Sequence, residues 1–196
     1  MQKLMFKDKL LTQLVNVFRQ YGYEGATLAR ISAATGLGRA SLYHHFPKGK
    51  EEMAASALNL VNTWLEESIL TPLRQESEPI ERLRDLSKNL YEFYNCGQQT
   101  CLFTMFALGE SKDLFQAQIQ KALNVWIDTL AQVLIDAGLP PEYARHRAED
   151  AILQIQGALI LGQGLDETGA FERVIKRLPE QLLNGTEQVS RGICLQ

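Results

Sequence analysis

The chain has 196 residues, of which 45% are hydrophobic and 22% charged, a composition typical of soluble globular proteins and not of disordered chains. No run approaches the roughly 18–20 consecutive apolar residues of a membrane span, and charges stand near the N-terminus where a signal peptide is apolar, so we expect a cytoplasmic protein. The three cysteines form no CxxC pair, which argues against a disulfide framework and a zinc site.

Charge is distributed unevenly along the chain. Residues 1–50 contain eight basic and two acidic residues, a net charge of +6, whereas the remaining 146 residues bring the total to −3 and therefore carry −9. Such an asymmetry favours a first quarter that meets a polyanion, although a basic stretch can also be no more than a solvated surface.

Helical periodicity dominates the sequence, with apolar residues recurring every three or four positions. Thr27 is placed to cap a short helix that Gly36 ends, and Pro47 stops the next one. No segment alternates with period two for long enough to predict a strand, so the predicted fold is all-helical with about nine helices. Their predicted ranges are 7–21, 28–35, 39–45, 50 to near 72, 80–95, 100–108, 111–137, 141–161 and 170–183.

The second and third predicted helices, separated by Gly36-Leu37-Gly38, form a helix-turn-helix behind a longer first helix. A plain corner of a three-helix bundle is the alternative. The third helix, however, leaves an arginine, a serine, a tyrosine and two histidines away from the core, and no acidic residue occurs between Glu24 and Glu51. Because carboxylates would repel phosphates, their absence is what a DNA-facing surface requires.

The segment from Thr27 to Glu52, TLARISAATGLGRASLYHHFPKGKEE, resembles the DNA-binding signature of the TetR family of transcriptional regulators. The preceding Val17-Phe18 and Gly22-Tyr23 match the first helix of that family, so that the resemblance covers roughly residues 7–55. The glycine before Lys50 and the segment Cys101-Leu102-Phe103 resemble the LmrA/YxaF-like branch. The resemblance implies a homodimer with a helix-turn-helix DNA-binding domain over residues 1–50 and a helical effector-binding and dimerisation domain over residues 51–196.

Seven residues are the predicted DNA contacts. Thr27, at a helix N-terminus, and Tyr43 can donate hydroxyl protons to phosphates, and Lys50 places a cation in a first helical turn, which an anion would stabilise. Arg39 can pair bidentately with guanine, while His45 is left open between a contact and a packing residue. The predicted set is Thr27, Arg39, Ala40, Ser41, Tyr43, His44 and Lys50.

Aromatic residues after the first quarter are expected to line an apolar effector pocket, with the alternative that each is ordinary core. The predicted pocket residues are Trp64, Tyr91, Phe103, Phe106 and Trp126, with Gln98, Gln99, Glu110 or Gln154 as polar contacts. The last two helices are expected to form the dimer interface, unless their apolar residues are buried within the subunit. The predicted interface residues are Ile152, Ile155, Leu159, Ile175, Leu178 and Leu182.

The predicted function is that of a ligand-responsive transcriptional regulator: a homodimeric repressor that leaves a palindromic operator, and thus the nucleoid, when a small hydrophobic or aromatic effector binds. An activator or a regulator controlled by a partner protein is the alternative, and a helical carrier or enzyme with a vestigial DNA head is a third. We predict no cofactor, metal or catalytic residue, because His44 and His45 point about 100° apart on a helix and no GxSxG or Walker sequence occurs.

Overall fold

The computed structural model describes residues 2–108 and 111–184, without the side chains of residues 2–6. These ranges contain nine helices and no strand, in agreement with the predicted class. The fourth helix, α4, runs without interruption through Lys50–Leu65, a π-helical segment Glu66–Leu70 and a last turn Thr71–Leu73. The others are α1 (Gln2–Gly25), α2 (Leu28–Thr35), α3 (Arg39–His45), α5 (Pro79–Phe93), α6 (Leu102–Phe106), α7 (Ser111–Asp136), α8 (Pro141–Leu165) and α9 (Gly169–Leu183).

The boundaries of α2 and α3 lie where the local signals predict them, whereas α1 extends to Gly25 and α8 to Leu165, beyond their predicted ends at residues 21 and 161. Gly22 interrupts α1 with a left-handed φ of 66°, which a residue with a side chain adopts only at a steric cost. Thr27 caps α2, because its Oγ1 accepts a hydrogen bond from the Arg30 N–H at 3.3 Å. Gly36 ends α2 in the left-handed conformation, and its N–H donates to the Ser32 carbonyl oxygen.

The π-helical segment of α4 has no counterpart among the sequence predictions. Residues Leu65 and Thr71, on either side of it, keep right-handed helical backbone, so the helix continues through the wider turn. Single π turns inside α-helices are rare and frequently lie at functional sites. This one follows Trp64, which is the last residue of α4 that belongs to the first of two compact units.

The first compact unit comprises residues 1–64 and 100–119. Within it α1 packs against α2 and α6, and its core includes Leu14, Phe18 and Met53, all fully buried. The unit therefore contains the helix-turn-helix together with α6 and the beginning of α7, which come much later in the sequence. This grouping differs from the boundary expected after residue 50, and the division of roles attached to that boundary stays a prediction.

The second compact unit comprises residues 65–99 and 120–196. Within it α9 packs against α8 and α5, and the last turns of α4 pack against α5. The Arg82 guanidinium joins α5 to the end of α7 and to the last turn of α4. It bonds the Asp136 carboxylate at 2.8 Å and donates to the Leu73 carbonyl oxygen at 3.4 Å. The interior of the second unit is apolar and aromatic, with Tyr94, Trp126 and Phe171 among the fully buried side chains.

Within the described ranges, no helix combines the length and the apolar character that a bilayer crossing demands.

Candidate nucleic-acid interface

Helices α2 and α3 are held in place by an apolar inner face. Ile31 of α2 and Leu42 of α3 are completely buried, and Phe46, directly after α3, is 4% exposed. The turn between the helices is secured by Thr35, whose Oγ1 accepts a hydrogen bond from the Leu37 N–H at 3.3 Å. Because these anchors occupy one side of α3, the other side faces solvent.

The solvent side of α3 carries the residues predicted to read bases. It contains no carboxylate, and the sequence has none from residue 25 to residue 50. The side chains offer hydrogen-bond donors and small groups that fit the major groove. All of the predicted residues on α3 are exposed, and their contacts with DNA stay a prediction: Arg39, Ala40, Ser41, Tyr43 and His44. The open residue His45 is exposed as well.

Tyr43 rests on the backbone of the turn that follows α3. Gly49 has a φ of 71° and is buried, and a Cβ built on it would lie 3.3 Å from Cε1 of Tyr43 and 3.7 Å from its hydroxyl oxygen. The Gly49 N–H donates to the Phe46 carbonyl oxygen at 2.8 Å, which closes the turn. The absence of a side chain at Gly49 thus leaves room for the tyrosine ring beside this turn.

The cap of α2 forms a second group of donors. Thr27 Oγ1 accepts from the Arg30 N–H, which leaves the hydroxyl proton of Thr27 for an acceptor outside the helix. The Arg30 guanidinium is exposed, lies 4.2 Å from the ring centre of Tyr21 and donates to the Gly25 carbonyl oxygen at 2.7 Å. Sequence reasoning missed Arg30, although a cation three residues after a cap threonine in a stretch without acids was an available signal.

Lys50 is partly engaged within the protein. Its ammonium group donates to the Tyr23 carbonyl oxygen at 3.0 Å and lies 4.3 Å from the centre of the Tyr23 ring. These contacts hold the cation in the first turn of α4, where the helix dipole alone would disfavour it. Burial, followed by the nearby carboxylates of Glu51 and Glu24, raises the pKa of Tyr23 above its usual value, so its hydroxyl remains protonated at physiological pH.

An aromatic cluster supports Tyr23 from inside the first unit. The ring of Phe106 meets Phe18 edge-on at 5.3 Å and Tyr23 at 6.0 Å, and Phe115 meets Tyr23 at 5.7 Å. These separations are those of favourable edge-to-face pairs. Beside the cluster, the Ser111 N–H donates to the Glu24 carboxylate at 3.0 Å, so the start of α7 is attached to the end of α1.

The residues predicted to line an effector pocket do not lie in one unit. Phe103 and Phe106 are buried in the first unit, where Phe106 is part of the aromatic cluster, and Trp64 is half-buried there. Tyr91 and Trp126 belong to the second unit, in which Tyr91 stacks on Phe171 at 6.5 Å. Of the predicted polar contacts, Gln98, Gln99 and Gln154 are at least partly accessible in the second unit, and Glu110 lies outside the described residues.

Concave sites in the second unit include two that differ in chemistry. A cavity of about 520 Å³ is polar and is lined by residues 97–98 after α5, residues 162–163 in the last turn of α8 and residues 166–168 after it. A groove of about 330 Å³ between α8 and α9 is more apolar and has Gly157, Leu161 and Val174 among its lining residues. Trp126 and Tyr91 line neither of them.

The predicted dimer residues are buried inside the subunit. All six are at most 7% exposed because they fill the space where α8 and α9 pack within the second unit: Ile152, Ile155, Leu159, Ile175, Leu178 and Leu182. The outer face of α8 also carries large apolar side chains, and these are 51–68% exposed: Leu153, Ile160, Leu161 and Leu165. The predicted residues are thus accounted for by packing within the subunit, which the sequence analysis had left as the alternative, and their part in a dimer interface stays a prediction.

Comparison with known proteins matches two families to this chain. Residues 10–57 match the family described as bacterial regulatory proteins, tetR family. Residues 79–177, which are half of the chain, match the family described as transcriptional regulator LmrA/YxaF-like, C-terminal domain.

Individual relatives and solved structures agree with these matches. The HTH-type transcriptional regulator LmrA of Bacillus subtilis is 23% identical over 90% of this chain and 96% of its own length. The HTH-type transcriptional repressor DhaR of a Mycobacterium species is 23% identical over 97% and 98%. A TetR transcriptional regulator from Legionella pneumophila superposes with a TM-score of 0.76 at 22% identity, covering 89% of this chain and 96% of that one, which shows a shared fold.

Proposed function

The chain belongs to the TetR family of bacterial transcriptional regulators and is a DNA-binding protein of that kind, and on this premise we propose how it works. It is a repressor that binds a palindromic operator as a homodimer through α3 and leaves the operator when a small apolar effector binds the second unit. The observation that carries the proposal is the exposed, acid-free side of α3 on a buried helix-turn-helix scaffold. In the cell such a protein is cytoplasmic and lies on the nucleoid when it is bound.

The chemistry of the interface supports separate roles for its residues. Arg39 opens the recognition helix and supplies the planar fork that pairs with guanine O6 and N7. Thr27, Tyr43 and Lys50 lie at helix ends or on the turn after α3, where hydroxyl and ammonium donors fit phosphate oxygens. Arg30 joins this second group because its exposed guanidinium accompanies the Thr27 cap.

The outer face of α8 supports dimerisation by a second copy of this chain. Leu153, Ile160 and Leu161 recur at spacings of seven and eight residues and therefore lie on one side of the helix. Gly157 is exposed between them, and a Cβ built there would meet no atom within 4 Å, so another helix can approach the backbone closely. A two-fold dimer formed through this face would present two copies of α3 and so require a palindromic operator.

Footprinting on the DNA upstream of its own gene, at several salt concentrations, tests this function. We expect protection of two inverted half-sites about one helical turn apart and an affinity that falls steeply with salt. Arg39→Ala should abolish the footprint at concentrations where Arg84→Ala, a matched change at an exposed arginine of α5, leaves it intact. Protection that does not depend on Arg39, or that covers a single unrepeated site, would contradict the proposal.

A further inference from the structure

Two buried polar groups of the second unit have no hydrogen-bond partner among the described residues. One is the indole N–H of Trp126, a side chain that is completely buried on α7. The other is the hydroxyl of Ser87 on α5, a residue that is 8% exposed. Burying such a group without a partner costs roughly 1–3 kcal/mol, so a folded protein normally supplies one.

Neighbouring polar groups of the same unit do have partners. Thr129, three residues after Trp126, donates to the Val125 carbonyl oxygen at 2.7 Å and accepts from the Arg74 guanidinium at 3.3 Å. A serine inside a helix usually bonds in the same way to a carbonyl four residues back, and Ser87 does not. Trp126 and Ser87 therefore differ from Thr129, because their polar side-chain groups have no partner at all among the described residues.

Both groups lie on helices that contribute to the apolar interior of the unit. Ser87 belongs to the buried stripe of α5, next to Leu86 and one turn from Leu83 and Leu90. Helix α5 is attached to α7 through the ion pair of Arg82 with Asp136. A molecule that reached these groups would thus be surrounded mainly by apolar side chains.

The chemistry of the unpaired atoms defines a complementary ligand. An indole N–H can only donate, and a serine hydroxyl can donate or accept. Within the described part of the second unit, the third buried atom of this kind is Nε of Arg82, again a donor, while the charge of that arginine is already balanced by Asp136. Two of these three unpaired atoms can only donate, and the one cation among the three residues, Arg82, is already paired with Asp136.

We propose that Trp126 and Ser87 are the polar anchors of the effector site, and that the effector is an uncharged, mainly apolar molecule with an oxygen acceptor. Its carbonyl, ether or hydroxyl oxygen accepts the hydrogen bond of the Trp126 indole, and Ser87 supplies a second hydrogen bond. This proposal rests on the proposed function, because it assumes that the second unit binds the effector. A buried water that serves both groups is the competing explanation.

Matched pairs of probes distinguish an effector oxygen from a water. The pairs are 1-tetralone with tetralin and 9-fluorenone with fluorene, in which the ketone differs from the hydrocarbon by its oxygen. The chain has two tryptophans, and in ¹⁵N-labelled protein Trp64→Phe identifies the indole resonance of Trp126. We expect a ketone to shift the Trp126 Nε1–H resonance downfield and to bind about tenfold more tightly than its hydrocarbon, the effect of one added hydrogen bond.

Substitutions then assign the preference to the two anchors. Trp126→Phe keeps an aromatic ring but removes the donor, and should reduce the preference for the ketone to about twofold or less. Ser87→Ala should reduce it in part, and Tyr143→Phe, at an exposed residue of α8, is the control that should retain it. Thermal unfolding followed by circular dichroism verifies folding, and the resonance shift in wild-type protein needs no substitution at either anchor.

Three results would overturn the proposal: no ketone binds wild-type protein up to its solubility limit, ketone and hydrocarbon bind equally, or the preference survives Trp126→Phe. Operator binding measured in parallel separates this failure from that of the proposed function. Wild-type protein that binds its operator but shows no preference for ketones disproves only the anchors. Protein that binds ketones through Trp126 but protects no operator disproves the proposed function.

Discussion

The side chains of Tyr43 and Lys50 are each positioned by one contact outside their own helical turn. The ring of Tyr43 lies against the backbone of Gly49, and the ammonium of Lys50 lies on Tyr23, 27 residues earlier. Each contact fixes a side chain that could otherwise adopt many conformations, which lowers the entropy that DNA binding must remove. At the scale of single residues, positioning is therefore as important as the type of side chain.

We predict that Arg39 and Lys50 differ in how they contribute to DNA binding. Arg39→Ala should weaken operator binding by about 1–3 kcal/mol and relax specificity at one base position, because it removes a bidentate base contact. Lys50→Ala should weaken operator and random DNA alike and reduce the salt slope by about one, because it removes a phosphate contact. Fluorescence anisotropy on both DNAs at several salt concentrations measures this, and an equal loss on both DNAs for Arg39→Ala would show that it reads no base.

We predict that Asp136 makes the protein sensitive to acid. Hydrogen bonding from Gln132, opposed by burial and reinforced by Arg82, lowers the pKa of Asp136 below its usual value. Its interactions therefore stabilise the folded state above the unfolded-state pKa of about 4 and are lost as the pH falls through the lower folded-state pKa.

Urea unfolding of Asp136→Asn and wild type from pH 7 to pH 2.5 measures the effect. The difference in free energy of unfolding should be constant near neutrality and shrink below about pH 4. Asp85→Asn, at an exposed position of α5, is the matched control for the loss of one carboxylate. A difference between Asp136→Asn and wild type that persists unchanged at pH 2.5 would contradict the assignment.

At the scale of elements, α6 and the beginning of α7 belong with the helix-turn-helix. Phe106 and Phe115 complete the aromatic cluster with Phe18 and Tyr23, and the Thr100 hydroxyl donates to the Arg19 carbonyl oxygen at 3.1 Å. Since Tyr23 in turn contacts Lys50, a substitution in α6 can alter the position of Lys50, a predicted DNA contact of the same unit. The first unit is thus more than the segment that resembles a DNA-binding signature.

We predict that Phe106 is needed for the stability of the first unit. Phe106→Ala should lower the free energy of unfolding by about 3–5 kcal/mol, since it leaves a cavity in a fully buried aromatic cluster. Leu108→Ala, at a side chain that is 67% exposed two residues later, should cost less than about 0.5 kcal/mol. Chemical denaturation followed by circular dichroism compares them, and similar values for both variants would show that Phe106 is not a core residue.

At the scale of the whole molecule, the two sides of α8 have different surroundings. The inner side packs on α9 within the subunit, and the outer side exposes large apolar residues around Gly157. Exposed apolar side chains of this kind support the proposal that a second copy of the chain binds this side of α8.

We predict that charge on the two sides of α8 has different consequences. Leu153→Arg and Ile160→Arg should give folded monomers with weakened operator binding, because an interface would bury an unpaired charge. Ile155→Arg should unfold the protein, because that residue is completely buried within the subunit. Light scattering and circular dichroism separate these outcomes. A soluble dimer with wild-type operator affinity from both outer-face variants would place the interface elsewhere.

We predict that effector and operator oppose each other reciprocally. Helix α4 runs from Lys50 through the π-helical segment into the second unit, so one continuous element has residues in both units. A displacement of this helix would change the separation of two α3 helices that must enter successive major grooves. Whatever factor a bound ketone removes from operator affinity, the operator must remove from ketone affinity, by linkage. Titrations with and without saturating operator that give equal ketone affinities would reject the switch for that ketone.

The sequence by itself determined the helical class, several of the helix ends and the exposed side of α3. Thr27, Gly36 and Pro47 act on the backbone within a few residues of themselves, so their effects can be read without knowledge of the rest of the fold. The exposed side of α3 follows equally from local periodicity, because Leu42 and Phe46 lie four residues apart and can only face the core. The family resemblance rests on this same local segment.

Only the tertiary structure decided which apolar residues pack together. Periodicity predicts that Phe106, Ile155 and Trp126 are buried, but it does not show which helix covers them. The hydrophobic effect is not directional and does not depend on how far apart two residues are in the sequence. Phe106 therefore lies with the DNA-binding helices, Ile155 lies inside the subunit, and the indole of Trp126 is left without a partner among the described residues. Hydrogen bonds and contacts between distant segments depend on the packing of whole helices, which no local pattern encodes.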